Sequence, residues 1–186
     1  LDNVTNVKSV LFMFNTNATP FNATASNNSG KWGALVNLSV FPEGLHSVIV
    51  FANDTVDNIN NTINISFTVD FTAPSVSITK PTNLSNFSFS SQLQDFNATV
   101  RDNTTNVDTV IFQFTNGTNV FNRTASNTSG TWNVSGINLS IFIEGIHNTT
   151  VFANDTVNNI NNTATVSLTV DRTAPQVTVE CTPYAS

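Results

Sequence analysis

The sequence predicts an all-β protein built from two consecutive copies of one β-sandwich. The first observation is self-similarity at an offset of about 100 residues, since Phe12 and Phe14 recur as Phe112 and Phe114. The second is strict alternation of apolar and polar residues, which is the period of a strand with one buried face. The third is the short spacing of Asn, Asp, Gly and Pro between the alternating runs, which ends each strand early.

The strands follow the same order in both copies, with one residue inserted in the second copy after Trp132. The clearest apolar runs of period two are Ile63-Ile65-Phe67-Val69, Val48-Val50-Ala52, Phe96-Ala98-Val100, Val110-Phe112-Phe114 and Ile137-Leu139-Ile141. β-branched and aromatic residues dominate these runs, as is typical of strands. About seven short strands per ~100 residues predict tandem immunoglobulin-like β-sandwiches.

Asparagine is concentrated in one motif. The chain has 30 Asn and 46 Ser plus Thr, and random placement would give about 7 or 8 N-x-[ST] sequons. The sequence contains 20 of them: Asn3, Asn17, Asn22, Asn27, Asn37, Asn53, Asn60, Asn64, Asn83, Asn86, Asn97, Asn103, Asn116, Asn122, Asn127, Asn133, Asn138, Asn148, Asn154 and Asn161. This excess predicts N-glycosylation of a secreted chain. The alternative is a polar low-complexity sequence in which sequons occur by chance.

Strand phase predicts where several of these side chains point. Asn22, Asn64, Asn97, Asn122 and Asn138 occupy polar positions of alternating runs. Their side chains should therefore face solvent, and sugars there would coat the sheet faces and oppose edge-to-edge pairing by bulk.

Composition limits the possible functions. Charged residues make up 10% of the chain, against roughly 25% in ordinary soluble domains, so sugars and neutral polar groups must keep the surface soluble. The net charge of −6 and the dispersed Lys and Arg argue against a nucleic-acid partner. No apolar run approaches the ~20 residues of a membrane span. The lack of a visible signal peptide indicates a mature chain or a fragment.

The sequence has one cysteine, Cys181. A single thiol in a secreted chain suggests an intermolecular disulfide or a partner outside this segment, while a free, half-buried thiol is equally compatible with the sequence.

The end of each repeat carries a recognisable pattern. In the second copy it runs from Glu144-Gly145-x-His147 to Val170-Asp171-x-Thr173-Ala174-Pro175. This pattern resembles the immunoglobulin-like repeats of giant prokaryotic surface proteins and adhesins. The family normally has glycine before the turn Asn, where this chain has Asp57 and Asn158, which tolerate the left-handed conformation. The Asn-rich, sequon-dense version of the pattern resembles that of archaeal proteins.

Comparing the two copies predicts three segments. Residues 1–71 form a repeat that lacks its first two strands, residues 72–172 form a complete repeat, and residues 173–186 supply the first strand of a further repeat or a donor strand. One explanation is a window cut from a longer array of repeats. The other is strand donation, in which the tail of one subunit completes the opened sandwich of the next.

The resemblance also implies a calcium site. Related adhesin repeats bind Ca²⁺ at the joints between domains, and Asp70, Asp102 and Asp155 should converge at such a joint. Hard oxygen ligands from several loops suit Ca²⁺. The alternative is that Asp70 and Asp155 only cap turns through Asx hydrogen bonds. No cofactor is required for the predicted function.

Residues that could carry catalysis occur in duplicate, which favours structural roles. His46 and His147 share the inward phase of their strands, so we expect each to hydrogen-bond the backbone at a corner. Trp32 and Trp132 should pack in the cores. The sequence therefore predicts a non-enzymatic, extracellular structural repeat of a cell-surface rod, filament or pilus-like assembly, whose partners are neighbouring repeats or copies of itself. The alternative is an adhesin repeat that binds carbohydrate or protein through its loops.

Overall fold

A computed structural model of the chain describes residues 6–16, 19–88 and 93–181. The sequons of Asn3 and Asn17 lie outside the described residues. Strands dominate the described ranges, and helical structure there is limited to two 3-10 turns. No helix in these ranges is long and apolar enough to cross a membrane.

The chain divides into two compact units. The first contains Leu1–Thr72 and Asp102–Asn106, and the second contains Ala73–Arg101 and Val107–Ser186. The strands of the described part, in chain order, are β1 (Val7–Asn15), β2 (Phe21–Thr24), β3 (Ser26–Asn28), β4 (Lys31–Gly33), β5 (Gly44–Asp54), β6 (Ile59–Val69), β7 (Ser75–Lys80), β8 (Ser85–Phe87), β9 (Leu93–Arg101), β10 (Val107–Thr115), β11 (Val120–Thr124), β12 (Ser126–Thr128), β13 (Thr131–Asn138), β14 (Gly145–Asp155) and β15 (Ile160–Val170). The predicted fold class, all-β with tandem immunoglobulin-like sandwiches, is confirmed.

The second unit is a two-sheet sandwich. One sheet has the order β11-β10-β14-β15-β8 and the other β12-β13-β9-β7. All ladders are antiparallel except that of β8 with β15, which is parallel. This division of strands between two sheets is that of an immunoglobulin-like domain.

The core of the second unit lies between its two sheets. Phe96 of β9 packs edge-on to Phe114 of β10 with ring centroids 4.8 Å apart. Phe96, Phe112 and Phe114 are fully buried, and Val151 is buried with them. The apolar phase predicted for these strands therefore faces the core, as the alternation indicated.

Turns form where the sequence supplies residues that tolerate a positive φ. Ser129 and Gly130 have φ of 51° and 83° in the two-residue turn between β12 and β13. Asp57 and Asn158 have φ of 66° and 70°, so the predicted left-handed conformation at the glycine position of the related repeats is confirmed.

The first unit repeats only part of this sandwich. It has one four-stranded sheet, β2-β1-β5-β6, and the two-stranded hairpin β3-β4. Among its described residues there is no counterpart of β7, β8 or β9. The sequence predicted that two strands are missing, but the corresponding segment of the second unit forms three. The additional strand, β8, is three residues long, too short for alternation to identify it.

The missing strands leave apolar side chains of the first unit exposed. Ile65 of β6 is 54% exposed, whereas its counterpart Val166 in the second unit is 2% exposed. Phe14, Phe41 and Phe67 instead pack against one another, with centroids 5.4 to 6.3 Å apart. This aromatic cluster gives the first unit a partial core on an open face.

Candidate functional site

Most of the described sequons have an exposed asparagine. Of the 18 sequons in the described ranges, 12 have Asn side chains on the surface. They are Asn22, Asn27, Asn37, Asn60, Asn64, Asn83, Asn86, Asn103, Asn122, Asn127, Asn138 and Asn148. The outward direction predicted for Asn22, Asn64, Asn122 and Asn138 agrees with this exposure.

Several sequons form an Asx turn within themselves. Asn37 Oδ1 accepts a hydrogen bond from the backbone N–H of Ser39, and Asn138 Oδ1 accepts one from Ser140, at 3.0 and 2.9 Å. Asn60 Oδ1 accepts from both the N–H and the hydroxyl of Thr62. These bonds use the amide oxygen and not Nδ2, the atom that takes a sugar. A sequon here therefore has a structural use that is compatible with glycosylation.

Other sequons offer little room for a sugar. The Asn116 side chain is only 7% exposed. Asn161 Nδ2 donates to the carbonyl oxygen of Pro74 at 2.9 Å. In the late turn of each unit, Asn53 Nδ2 donates to Asp57 and Asn154 Nδ2 donates to Asn158. A sugar at these nitrogens would displace hydrogen bonds that hold the fold.

The prediction that Asn97 points freely to solvent needs correction. Asn97 is half-buried, and its Oδ1 accepts a hydrogen bond from Nδ2 of Asn133. The reason is the sheet register, which places Asn133 of β13 directly opposite Asn97 of β9. Because the contact uses Nδ2 of Asn133, and because both asparagines are half-buried, neither sequon is as open to a sugar as its outward phase alone suggests.

The two histidines hold corners of the sandwiches, as predicted. His46 Nε2 lies 2.7 Å from the carbonyl oxygen of Pro42, and His147 Nε2 lies 2.7 Å from that of Ile143. Both imidazoles are buried. Because each ring is fixed to a backbone carbonyl four residues earlier, the histidines act as structural ties.

The tryptophans differ between the units. Trp132 is 7% exposed within the core of the second unit, as predicted, whereas Trp32 is only half-buried. The difference follows from the missing strands of the first unit, since β9 pairs with β13 beside Trp132.

A carboxylate organises the late turn of each unit. Asp155 Oδ1 accepts from the backbone N–H groups of Val157 and Asn159, and Asp155 Oδ2 accepts from the side chain of Asn159. Asp54 makes the same three bonds in the first unit, with Val56 and Asn58.

These contacts shift the acidity of Asp155. Burial acts to raise its pKa, but hydrogen bonds from Asn159 and Val157 outweigh burial and hold the pKa below its ordinary value. Since the folded-state pKa is the lower one, the carboxylate contributes stability above its unfolded pKa. That contribution is lost as pH falls through the folded-state pKa.

The other two predicted calcium ligands belong to the first unit. Asp70 Oδ1 accepts from the N–H of Thr72, and Asp70 Oδ2 accepts from the hydroxyl of Thr105 at 2.7 Å. Asp102 Oδ1 accepts from the N–H groups of Thr104 and Thr105. All three predicted ligands therefore cap turns. None of these contacts tests the calcium site, which stays a prediction.

The tail after β15 forms no strand among its described residues, although the backbone N–H of Asp171 donates to the carbonyl oxygen of Phe87 at 2.9 Å. Val177 and Val179 are 81% and 76% exposed. Cys181 is a free, exposed thiol. The half-buried alternative for Cys181 is therefore not what the structure has, and an intermolecular role stays a prediction.

One surface feature escaped the sequence analysis. The outer face of the five-stranded sheet carries an open groove of about 350 Å³. Its lining residues are Thr109, Ile111, Gln113, Asn122, Phe152, Ala153, Asn154 and Ile160. The signal was available, because Ile111 and Phe152 are apolar residues at the outward phase of their strands. We call this feature the outer-face groove.

Comparison with known proteins supports the fold. A family model described as Bacterial Ig-like domain (group 3) matches residues 30–119. The matched segment begins in the β3–β4 turn and ends just after β10, so it takes in the end of the first repeat and the start of the second. None of the curated proteins compared with the chain matches it.

Several solved structures are similar at low identity. A tetra-tandem repeat from the extending region of a large adhesion protein is 22% identical, with a TM-score of 0.47 over 94% of this chain and 44% of that one. Fibronectin(III)-like modules of Clostridium thermocellum CbhA are 15% identical, with a TM-score of 0.44 over 98% and 87%. A 1.5-MDa bacterial ice-binding adhesin is 14% identical, with a TM-score of 0.47 over 91% and 55%. The chain thus spans about half the length of each of these two solved adhesin chains.

Proposed function

We propose that the chain is an extracellular, N-glycosylated structural segment of a cell-surface rod, filament or pilus-like assembly. The observation that carries this proposal is the repeated placement of sequons on exposed positions. Asn22 and Asn122 occupy the same site on β2 and β11, opposite Met13 and Gln113. If each repeat carries a sugar at this equivalent position on its outer sheet face, an array of such repeats has a regular sugar coat.

The low charge of the chain supports a sugar coat. Only 10% of residues are charged, and the described residues contain one salt bridge, between Lys8 and Asp57 on the surface. The first unit also leaves large apolar side chains exposed. A surface this poor in charge needs another source of solubility, and bulky hydrophilic glycans supply one.

The loops favour a spacer over the alternative, an adhesin repeat with a binding loop. The late turns of the two units have the same hydrogen bonds around Asp54 and Asp155. Asn60 and Asn161 then form the same Asx turn with the Thr two residues later. A binding repeat is expected to diverge in one loop, whereas repeats that serve as spacers keep equivalent loops.

The open first unit supports assembly through neighbouring repeats, either within a longer chain or by strand donation. The tail has the sequence phase of β7, so that Val177 and Val179 correspond to Val76 and Ile78. In the second unit, Val76 and Ile78 pack against the core. Val177 and Val179 are therefore suited to enter the open sandwich of another copy, with Cys181 at the new interface. An archaeal source remains a prediction from composition.

Immunogold electron microscopy tests the proposed function. Antibody raised against the second unit should label the outside of intact cells of the native source, along rods or filaments, without permeabilisation. A matched sample of permeabilised cells shows how much antigen lies inside. Label restricted to the permeabilised sample would contradict an extracellular structural role.

A further inference from the structure

The outer-face groove is apolar where a solvent-facing sheet is ordinarily polar. Ile111 of β10 and Phe152 of β14 are directly opposite each other, and both are half-buried although they lie on the face away from the core. Thr109 and Asn154 form the next outward pair along the same strands. A neighbouring apolar pair on an exposed face offers a surface on which apolar groups can pack.

A sequon lies at the rim of this groove. Gln113 of β10 pairs with Asn122 of β11, and Ile111 pairs with Thr124, the hydroxyl residue of the same sequon. Asn122 is therefore the diagonal neighbour of Ile111, within about 7–8 Å across the sheet. The Asn122 side chain is exposed and lines the groove. A sugar on Asn122 Nδ2 begins at the rim of the groove, on the strand next to Ile111 and two strands from Phe152.

The second sequon of the groove is placed differently. Asn154 Nδ2 donates a hydrogen bond to Asn158 Oδ1, which turns this nitrogen towards its own loop. Of the two sequon asparagines that line the groove, Asn122 is the one whose amide nitrogen is accessible to carry a sugar over Phe152.

The first unit has the same arrangement. Leu11 pairs with both Thr24 and Phe51, and Asn22 is the diagonal neighbour of Leu11 through its pair Met13. The apolar pair and the sequon thus recur together at equivalent positions. The pair stays apolar in both units although its first member changes from Leu11 to Ile111.

The lining of the groove suits a sugar. None of its eight residues, all in the described part of the chain, carries a charge. A pyranose ring has an apolar face of C–H groups that packs on aromatic and aliphatic side chains, and hydroxyl groups that bond amides. Phe152 and Ile111 offer the first kind of surface, and Gln113 offers the second.

We propose that the first sugars of the glycan on Asn122 pack in the outer-face groove, and that those of the glycan on Asn22 pack on the Leu11–Phe51 pair. We call each of these packing surfaces the seat of its glycan. This inference rests on the proposed N-glycosylation. The glycan is thereby part of the folded structure: it covers an apolar strip, stiffens the sheet face and holds the rest of the chain of sugars at a fixed direction from the rod.

A double-mutant cycle on the glycosylated full chain tests this seat. The chain is produced with Asn122→Gln, with Phe152→Thr, and with both changes, and melting is followed by circular dichroism. Asn86→Gln is the matched control, because Asn86 is an exposed sequon of the same unit outside the groove. Glycopeptide mass spectrometry records occupancy at Asn122 and Asn86 in every sample.

We expect Asn122→Gln to lower the melting temperature by about 4 °C when Phe152 is present and by less than about 1 °C in the Phe152→Thr background. Asn86→Gln should have no effect in either background. In the wild type, sugar protons should show upfield ring-current shifts that Phe152→Thr removes.

Four results would overturn the seat, and they separate it from the proposed function. If Asn122 carries a sugar but Asn122→Gln and Phe152→Thr have additive effects on the melting temperature, the chain is glycosylated but the sugar does not pack in the groove. Unoccupied Asn122 with occupied Asn86 removes the seat but keeps a glycosylated repeat, whereas bare asparagine at every sequon of the native protein removes both. If the wild-type chain forms a dimer, and Phe152→Thr dissociates it whether or not Asn122 carries a sugar, the groove binds a second copy of the chain.

Discussion

Replacing Phe112 with Ala is expected to lower the free energy of unfolding of the second unit by about 3–5 kcal/mol. Phe112 is fully buried between the two sheets, and its ring lies 6.4 Å from those of both Phe96 and Phe114. Truncation removes the transfer energy of the ring and leaves a cavity that rigid strands on both sides cannot close.

The counterpart Phe12 provides a matched control, because it is only half-buried in the open first unit. Phe12→Ala should cost roughly 1–2 kcal/mol, since less of the ring is removed from water. Urea unfolding followed by Trp132 fluorescence in a Trp32→Phe background reports the second unit, and Trp32 in a Trp132→Phe background reports the first. Equal costs at the two positions would refute the difference in burial, and an unchanged midpoint for Phe112→Ala would refute its strand phase.

If strand donation joins the subunits, deleting residues 174–186 is expected to abolish self-association of the chain while the second unit stays folded. The physical reason is that the open sheet of the first unit presents unpaired backbone groups and apolar side chains, which the valines of the tail can cover. Sedimentation velocity and negative-stain microscopy measure assembly, and Trp132 fluorescence reports whether the second unit remains folded.

Two charge-matched double variants separate a donated strand from a nonspecific tail. Val177→Asp with Val179→Asp places charges at the phase that would enter the neighbouring core and should prevent assembly. Gln176→Asp with Thr178→Asp places the same charge at the opposite phase and should be tolerated. If the deleted chain assembles as the wild type does, the tail is not the connector and the array of covalently linked repeats stands. A wild type that stays monomeric would also contradict donation.

Much of the fold followed from local patterns. Alternation at Val110, Phe112 and Phe114 set the inward phase, and the inward phase of His46 and His147 predicted corner bonds to backbone carbonyls. These features depend on the two-residue period of a strand, which is visible in the alternation of apolar and polar residues.

Features that depend on strand pairing were beyond sequence reasoning. The Asn97–Asn133 contact and the Ile111–Phe152 pair each join residues about 40 apart, and only the ladder register places them opposite each other. Polar phase predicts that a side chain points outward, but the neighbour across the strand decides whether it is free for modification. The short β8 strand was missed because a parallel ladder of three residues leaves no periodic signal.

Site-by-site glycopeptide mapping of the protein from its native source shows whether the two repeats carry a sugar coat. We expect peptides that contain Asn22, Asn122 and Asn138 to carry hexose-based additions, because these asparagines are exposed. The peptide with Asn116 should be unmodified, because its side chain is buried. If all sequon peptides have the bare mass of their sequence, the repeats carry no sugar coat.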